Sequence, residues 1–215
     1  MAAFWEYRLT ANILCIGERF KKGLVRPCVK TIPYSTITGA LRQEVLGRRS
    51  WEDCGHAVGC IGKCEEVTLV GGPRDTVTGV SKLPLMVQAL TKVEGRVYIV
   101  YDEDTKDLPP EMEFSMGALK SKGFGRVRLA RVGGKPVESG ALQIGYLNTR
   151  LPDDEELLQR FGIQDVKKPV YGYLFKPTSD TDGVWVKSLF EGSVVIGPGL
   201  LVGEEATRRC PYKSC

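Results

Sequence analysis

The chain carries one histidine in 215 residues, no apolar run long enough for a bilayer, and neither a fixed-period repeat nor a low-complexity tail. Each shortage removes a class of function. His56 is the sole imidazole and lies among cysteines, so a general acid–base role would require it to leave that cluster, and no Ser-His-Asp or Cys-His nucleophile system is supported. A membrane-spanning helix needs about 20 apolar residues, and none can be placed here. Trp5, Glu6 and Arg8 interrupt any charged-then-apolar leader, so we expect a cytoplasmic protein without membrane contact. Seven cysteines, an odd number, argue against a secreted disulfide framework. Familiar phosphate fingerprints are missing too. The Gly-x-Gly at Gly123-Phe124-Gly125 opens no helix, and no Gly-Lys-Ser/Thr closes a Walker loop.

Charge of one sign is also in short supply. Thirty Lys and Arg against 26 Asp and Glu leave a net charge of +4, so affinity for a polyanion must come from placement. That placement is uneven. Arg19, Lys21, Lys22, Arg26, Lys30, Arg42, Arg48 and Arg49 crowd the first quarter, while Asp153 to Glu156 form a late acidic run. At 42% hydrophobic and 26% charged, the chain is long and apolar enough to bury a core.

The most informative stretch is Gly117 to Leu129. Gly123 and Gly125 flank Phe124 and free the backbone for positive φ. Lys120, Lys122, Arg126 and Arg128 surround them, and no acid occurs from Lys120 to Lys135. Val127, Leu129 and Val132 read as the inward side of a following strand. Such a loop either grips phosphates or is simply a solvated basic turn.

Periodicity gives a coarse element order. A first strand is expected over Tyr7–Ile16, followed by a basic loop, Gly17–Lys30. A helix spans Ile37–Leu46, with Ser35 or Thr36 as its N-cap. Strands follow at Glu66–Val70 and Arg96–Tyr101, while Leu83–Val93 reads equally as helix or strand. A short helix is expected over Glu111–Leu119, after Pro109 and Pro110. The scheme is α+β: a ferredoxin-like (RRM-like) β-α-β-β-α-β domain with a glycine-rich loop. We place it at residues 1–140, with a cysteine-rich irregular insert at 51–65. Strands at Leu142–Leu147, Val170–Phe175, Val184–Leu189 and Ser193–Ile196, with an acid-capped helix at Asp153–Phe161, form a smaller β-rich C-terminal lobe, 141–215.

Two segments carry a family resemblance. Ile32-Pro33-Tyr34-Ser35-Thr36-Ile37-Thr38-Gly39-Ala40-Leu41-Arg42 resembles the I-P-x-S-(S/T)-x-x-G-A-L-R approach to the first helix of the RAMP superfamily of CRISPR-associated RNA-binding proteins. Lys120 to Val127 is similar to that superfamily's glycine-rich loop, R-S-x-G-(F/Y)-G-x-V. A Gly-x-x-x-Gly-Gly turn after the first strand, carried by many backbone members, is absent. The resemblance implies a non-catalytic subunit of a CRISPR effector complex that holds the crRNA and caps its 5′ handle. Its partners would be the crRNA, other effector subunits, and a DNA or RNA target met through the guide. Alternatives are a backbone subunit that also cleaves target RNA, with Asp75, Asp102 and Asp104 as loop aspartates, or a crRNA-processing endoribonuclease.

Residue chemistry then suggests how RNA is held. Backbone amides from Ser121 to Gly125, with Lys120, Lys122 and Arg126, would cradle phosphates as an anion nest. Ser35, Thr36 and Thr38, backed by Arg42, would meet phosphate or 2′-OH at the mouth of the first helix, or Ser35 and Thr36 would merely cap it. Arg19, Lys21, Lys22 and Arg26 would add a basic loop or remain solvated. Phe124 either stacks on a base or anchors the loop. Helix mouth and glycine loop are expected to form one continuous cradle. Separately, Cys54, His56, Cys60 and Cys64 gather soft ligands suited to structural zinc, with a mixed site using Cys28, Cys210 or Cys215, a disulfide, or free thiols as the alternatives.

Overall fold

The computed structural model describes residues 2–17, 25–47, 55–72, 75–80, 85–178 and 182–204. The first part contains β1 (Ala3–Leu14), β2 (Val25–Arg26), β3 (Thr31–Ile32), α1 (Tyr34–Glu44), β4 (Ala57–Gly71), β5 (Leu85–Val100), β6 (Glu111–Ser115), β7 (Arg126–Arg131) and β8 (Val137–Glu138). These build one sheet in the order β3-β4-β5-β1-β7-β6, with β2 added to β5 and β8 to β1. All pairs in that path are antiparallel. β1 and β4, joined through α1, lie on either side of β5. The chain is thus α+β, mostly antiparallel sheet with few helices.

Alternation along β1 explains its position. Trp5, Tyr7, Leu9 and Ala11 turn to one face and are buried with Ile37, Leu41, Val97, Ile99, Val127 and Leu129 in the main core. The helix begins earlier than expected. Pro33 is its N-cap, its carbonyl accepting from the amides of Thr36 at 3.0 Å and Ile37 at 3.2 Å, and no side chain caps it. Ser35 and Thr36 therefore lie inside the first turn rather than capping it.

Two expectations about local structure fail. Glu111–Leu119 is not a helix: Glu111–Ser115 is strand β6, followed by a 3-10 turn at Lys120–Lys122. Met112 and Phe114 are buried against Leu129 and Val127 across the ladder, while Glu111 and Glu113 point outward and pair with Arg128 and Arg126. Period two prevails over the helix start suggested by Pro109 and Pro110. The cysteine-rich segment is likewise no irregular insert where it is described, because Ala57 to Cys64 belong to β4. Gly59 serves close backbone approach there, since a Cβ would stand 2.6 Å from the Arg96 carbonyl oxygen.

The remaining elements are β9 (Leu142–Leu147), β10 (Leu151–Pro152), α2 (Glu155–Arg160), β11 (Asp165–Lys168), β12 (Tyr171–Pro177), β13 (Gly183–Leu189), β14 (Val194–Pro198) and β15 (Val202–Gly203). They form a sheet β10-β13-β12 and another, β11-β14-β9-β15. An acid caps α2, which starts two residues later than expected: Asp154 accepts from the Leu157 amide at 3.0 Å. These elements share a second core with the large sheet: Phe4, Val58, Tyr98 and Val100 meet Leu147, Leu157, Phe161, Leu174 and Leu189. Arg150 fastens this junction. Its guanidinium makes a bidentate pair with Glu191 at 2.6 and 2.8 Å, and its carbonyl accepts from the Tyr34 amide at 3.0 Å.

Phe161 is fully buried, stacked on Phe4 and edge-on to Tyr34. Phe161→Ala should lower the unfolding free energy by about 3–5 kcal/mol in denaturant titrations.

Candidate functional site

The glycine loop docks at the C-terminal end of β1. Leu119 and Phe124 pack against a small cluster of Cys15, Val87 and Ala89, together with Ile13 and Leu69. Of the two roles open to Phe124, this is the anchor. Gly117 and Gly125 seat the backbone, the Ala118 amide donating to the Cys15 carbonyl at 2.7 Å and the Gly125 amide to that of Ile13 at 3.0 Å. Gly125 has φ +85°, and a Cβ there would lie 2.0 Å from the Met116 carbonyl oxygen.

The nest is not built as expected. The amides of Lys122, Gly123 and Phe124 donate to the Leu119, Lys120 and Leu119 carbonyls, so together with Gly125 they are spent inside the protein. What faces solvent is the turn itself, with Lys120, Ser121, Lys122 and Gly123 exposed. Arg126 is exposed as well but forms an ion pair with Glu113. Arg26 shares this end of the sheet: it stands on β2 beside Val87, within the cluster that receives the loop. Arg19, Lys21 and Lys22 lie outside the described residues.

Beneath the loop are two thiols, Cys15 and Cys28, that the sequence does not pair, Cys28 being expected only in a mixed metal site. Cys15 is drawn down to about 7, first by its hydrogen bond with Cys28, with burial opposing and the charge of Arg26 assisting. Cys28 is pushed up by the same hydrogen bond and by burial. Its amide donates to Gln88 Oε1 at 3.3 Å, tying the basic segment to β5. The interruption of alternation at Ile13-Leu14-Cys15 is the only trace of this docking site in the sequence.

The helix mouth lies elsewhere. Thr38 Oγ1 donates to the Ala57 carbonyl at 3.1 Å and accepts from its amide at 3.0 Å, and Ala57 stands opposite Ile99, which pairs with Trp5. Eight residue steps along β1 take Trp5 to Ile13, roughly 26 Å of strand. Helix mouth and glycine loop therefore occupy opposite ends of β1 and form no continuous cradle. Thr38 is wholly buried and Arg42 is 2% exposed, which withdraws both from contact with RNA. Ser35 and Thr36 remain partly exposed at the helix start.

The proposed zinc ligands also separate into different roles. His56 is 5% exposed, and its Nδ1 lies 2.7 Å from the Tyr34 hydroxyl, with the two rings stacked. Burial pushes the Tyr34 hydroxyl up to about 12, so it stays protonated at neutral pH. Cys60 is disulfide-bonded, and Cys54 lies outside the described residues. A disulfide sulfur is not a thiolate, so this set fits zinc only after reduction. Among the described residues no three candidate ligands cluster, and no helix is long and apolar enough to cross a membrane.

With this geometry in view, the chain can be compared with known proteins. No protein-family model matches it, and no curated protein does. Solved structures do match. A chain from the cryo-EM structure of the type III-B Cmr-beta bound to cognate target RNA aligns with TM-score 0.57 and 11% identity, covering 89% of this chain and 86% of its own length. A chain from the same complex with target RNA and AMPPnP (state 1) aligns with TM-score 0.58 and 12% identity, over 89% and 85%. The fold is shared with those chains. At such identity the likeness extends to the backbone path and not to individual side chains.

The two loop glycines should respond differently to substitution. Gly125→Ala combines positive-φ strain with a backbone collision and should destabilise by more than about 2 kcal/mol. Gly123→Ala meets open space and should cost only the strain, about 1 kcal/mol. Thermal unfolding of the pair, with amide exchange at Ala118, measures the difference.

Proposed function

We propose that this chain is an RNA-binding subunit of a CRISPR RNA-guided effector complex, holding the crRNA and capping its 5′ handle. The observation that carries the reading is the fold shared, over 89% of the chain, with chains of a Cmr-beta complex bound to target RNA. The two RAMP-like segments and the crossover of α1 between β1 and β4 agree with it. Contact with RNA runs through the exposed turn Lys120-Ser121-Lys122 and Arg26 at the C-terminal end of β1, with Arg126 joining once a phosphate competes for its carboxylate partner.

The subunit acts by binding rather than cleavage. His56 is buried and engaged with Tyr34. Asp75 Oδ1 accepts from the Val77 and Thr78 amides, and Asp102 Oδ1 from those of Asp104 and Thr105, so both carboxylates shape their turns. A second reading, a repeating backbone subunit, draws support from the long β4–β5 hairpin. Val67–Gly71 and Leu85–Ala89 pair beyond the last β1 rung, Leu14 with Leu90, and Val70 and Val77 are 64% and 92% exposed. Such an apolar finger suits a neighbouring copy. Stoichiometry in the assembled complex separates the two: one copy per guide for the cap, several for the backbone.

Lys120→Ala with Lys122→Ala should weaken binding to a CRISPR repeat RNA and reduce the slope of log affinity against log salt by about 1.4, the value for two phosphates on a single strand. An unchanged slope would remove the turn from the phosphate path. Incubation with repeat RNA should yield no cleavage products.

A further inference from the structure

At the opposite end of β1 from the glycine loop, a cavity of about 210 Å³ opens between the first turn of α1, α2 and the β12–β13 hairpin. Its floor is aromatic and apolar: Tyr34 and His56, each 5% exposed, and Leu157 and Leu174, each 8% exposed. The Tyr34 and His56 rings lie nearly parallel, 17° apart with centroids at 5.9 Å, held by the 2.7 Å hydroxyl–Nδ1 bond. The rim differs in character. Ser35, Glu156, Arg160 and Lys176 stand around it, with Glu156 and Arg160 one helical turn apart on α2. Asp154 is also there, with Oδ1 committed to capping α2.

Size and chemistry together narrow the ligand. The volume falls below the roughly 300–1,000 Å³ of pockets for drug-sized molecules, which admits one ring system and excludes a dinucleotide. An apolar floor offers nothing to a bare anion, so an anionic group can be held only at the rim, on the side of Arg160 and Lys176. A flat heteroaromatic ring suits the floor, with ring polar groups meeting the Ser35 hydroxyl and Glu156 carboxylate. A single phosphate suits Arg160 and Lys176.

We propose that this cavity holds one unpaired nucleotide, its base on the Tyr34–His56 floor and its phosphate at the rim beside Arg160 and Lys176. The inference rests on the RNA-binding reading for the source of the nucleotide, though not for the chemistry of the cavity. Since the cavity and the basic turn are separated by most of β1, a strand reaching both runs several nucleotides across the sheet.

The test uses the full chain. Calorimetric titration compares the four nucleoside 5′-monophosphates with ribose 5-phosphate, and fluorescence anisotropy follows a labelled unstructured RNA. At least one monophosphate should bind about tenfold more tightly than ribose 5-phosphate. Val186→Trp, which fills the cavity, and Arg160→Glu, a solvent-facing change that leaves the core intact, should each weaken that binding about tenfold. If both variants also weaken RNA binding, Val186→Trp with the salt slope unchanged and Arg160→Glu with the slope lowered by at least about 0.7 for the lost phosphate contact, the nucleotide belongs to the strand. If they affect monophosphates alone, the cavity takes a free nucleotide. Failure of every monophosphate to outbind ribose 5-phosphate, or indifference of both variants, overturns the proposal. Loss of RNA binding by the wild-type chain with monophosphate binding retained overturns the subunit reading and leaves the cavity standing.

Discussion

β1 runs through the middle of the large sheet, bonded to β5 along one edge and to β7 along the other, and this double pairing dictates where the chemistry of the chain can lie. Twelve extended residues keep what docks at one end away from what docks at the other. The glycine loop needs the carbonyls of Ile13 and Cys15, whereas α1 needs Ala57, fixed through Ile99 to Trp5. Neither attachment can migrate without breaking ladder bonds on both sides. A reading that joins the two motifs because they occur together in a family meets this constraint first.

The loop is held before any ligand arrives. Leu119 and Phe124 sit in an apolar seat, the amides close on internal carbonyls, and a collision with Met116 reserves position 125 for glycine. What reaches solvent is a short, shaped, positively charged turn, which loses little conformational freedom on association. Its neighbours Arg126 and Arg128 are matched by Glu113 and Glu111 across the ladder. Exposed pairs of this kind contribute at most about 1 kcal/mol, so a phosphate can replace the carboxylate at small cost.

Where side chains alternate cleanly the sequence was readable: β12, β13 and an acidic start to α2 follow from period and cap chemistry, and β1 does too, although it begins at Ala3 rather than at Tyr7. β6 was readable too, from Met112, Phe114 and Met116, but Pro109 and Pro110 pointed to a helix start and outweighed it. The cysteine segment misled because Gly55, Gly59 and Gly62 look like loop residues, when Gly59 in fact lets two strands approach. Thr38 and Arg42 could not be placed from sequence. α1 is used on two faces, with Ile37 and Leu41 in the main core and Tyr34 in the second, and only the C-terminal elements reveal the second burial. The pairing of loop amides was likewise invisible, since it depends on Ile13 and Cys15, more than a hundred residues upstream.

Exchanging the expected second helix for β6 has a consequence for how the molecule meets others. It leaves the sheet bounded by a five-residue strand on one flank and by two-residue β3 on the other. The stretch of β4 that β3 does not cover, residues 61–71, carries Lys63, Glu65 and Glu66 and then the apolar Val67, Leu69 and Val70. The short β6 margin and the charged part of β4 discourage a foreign strand from zipping on there. A neighbour that extends the ladder would therefore have to do so at the distal half of β4, on the apolar finger.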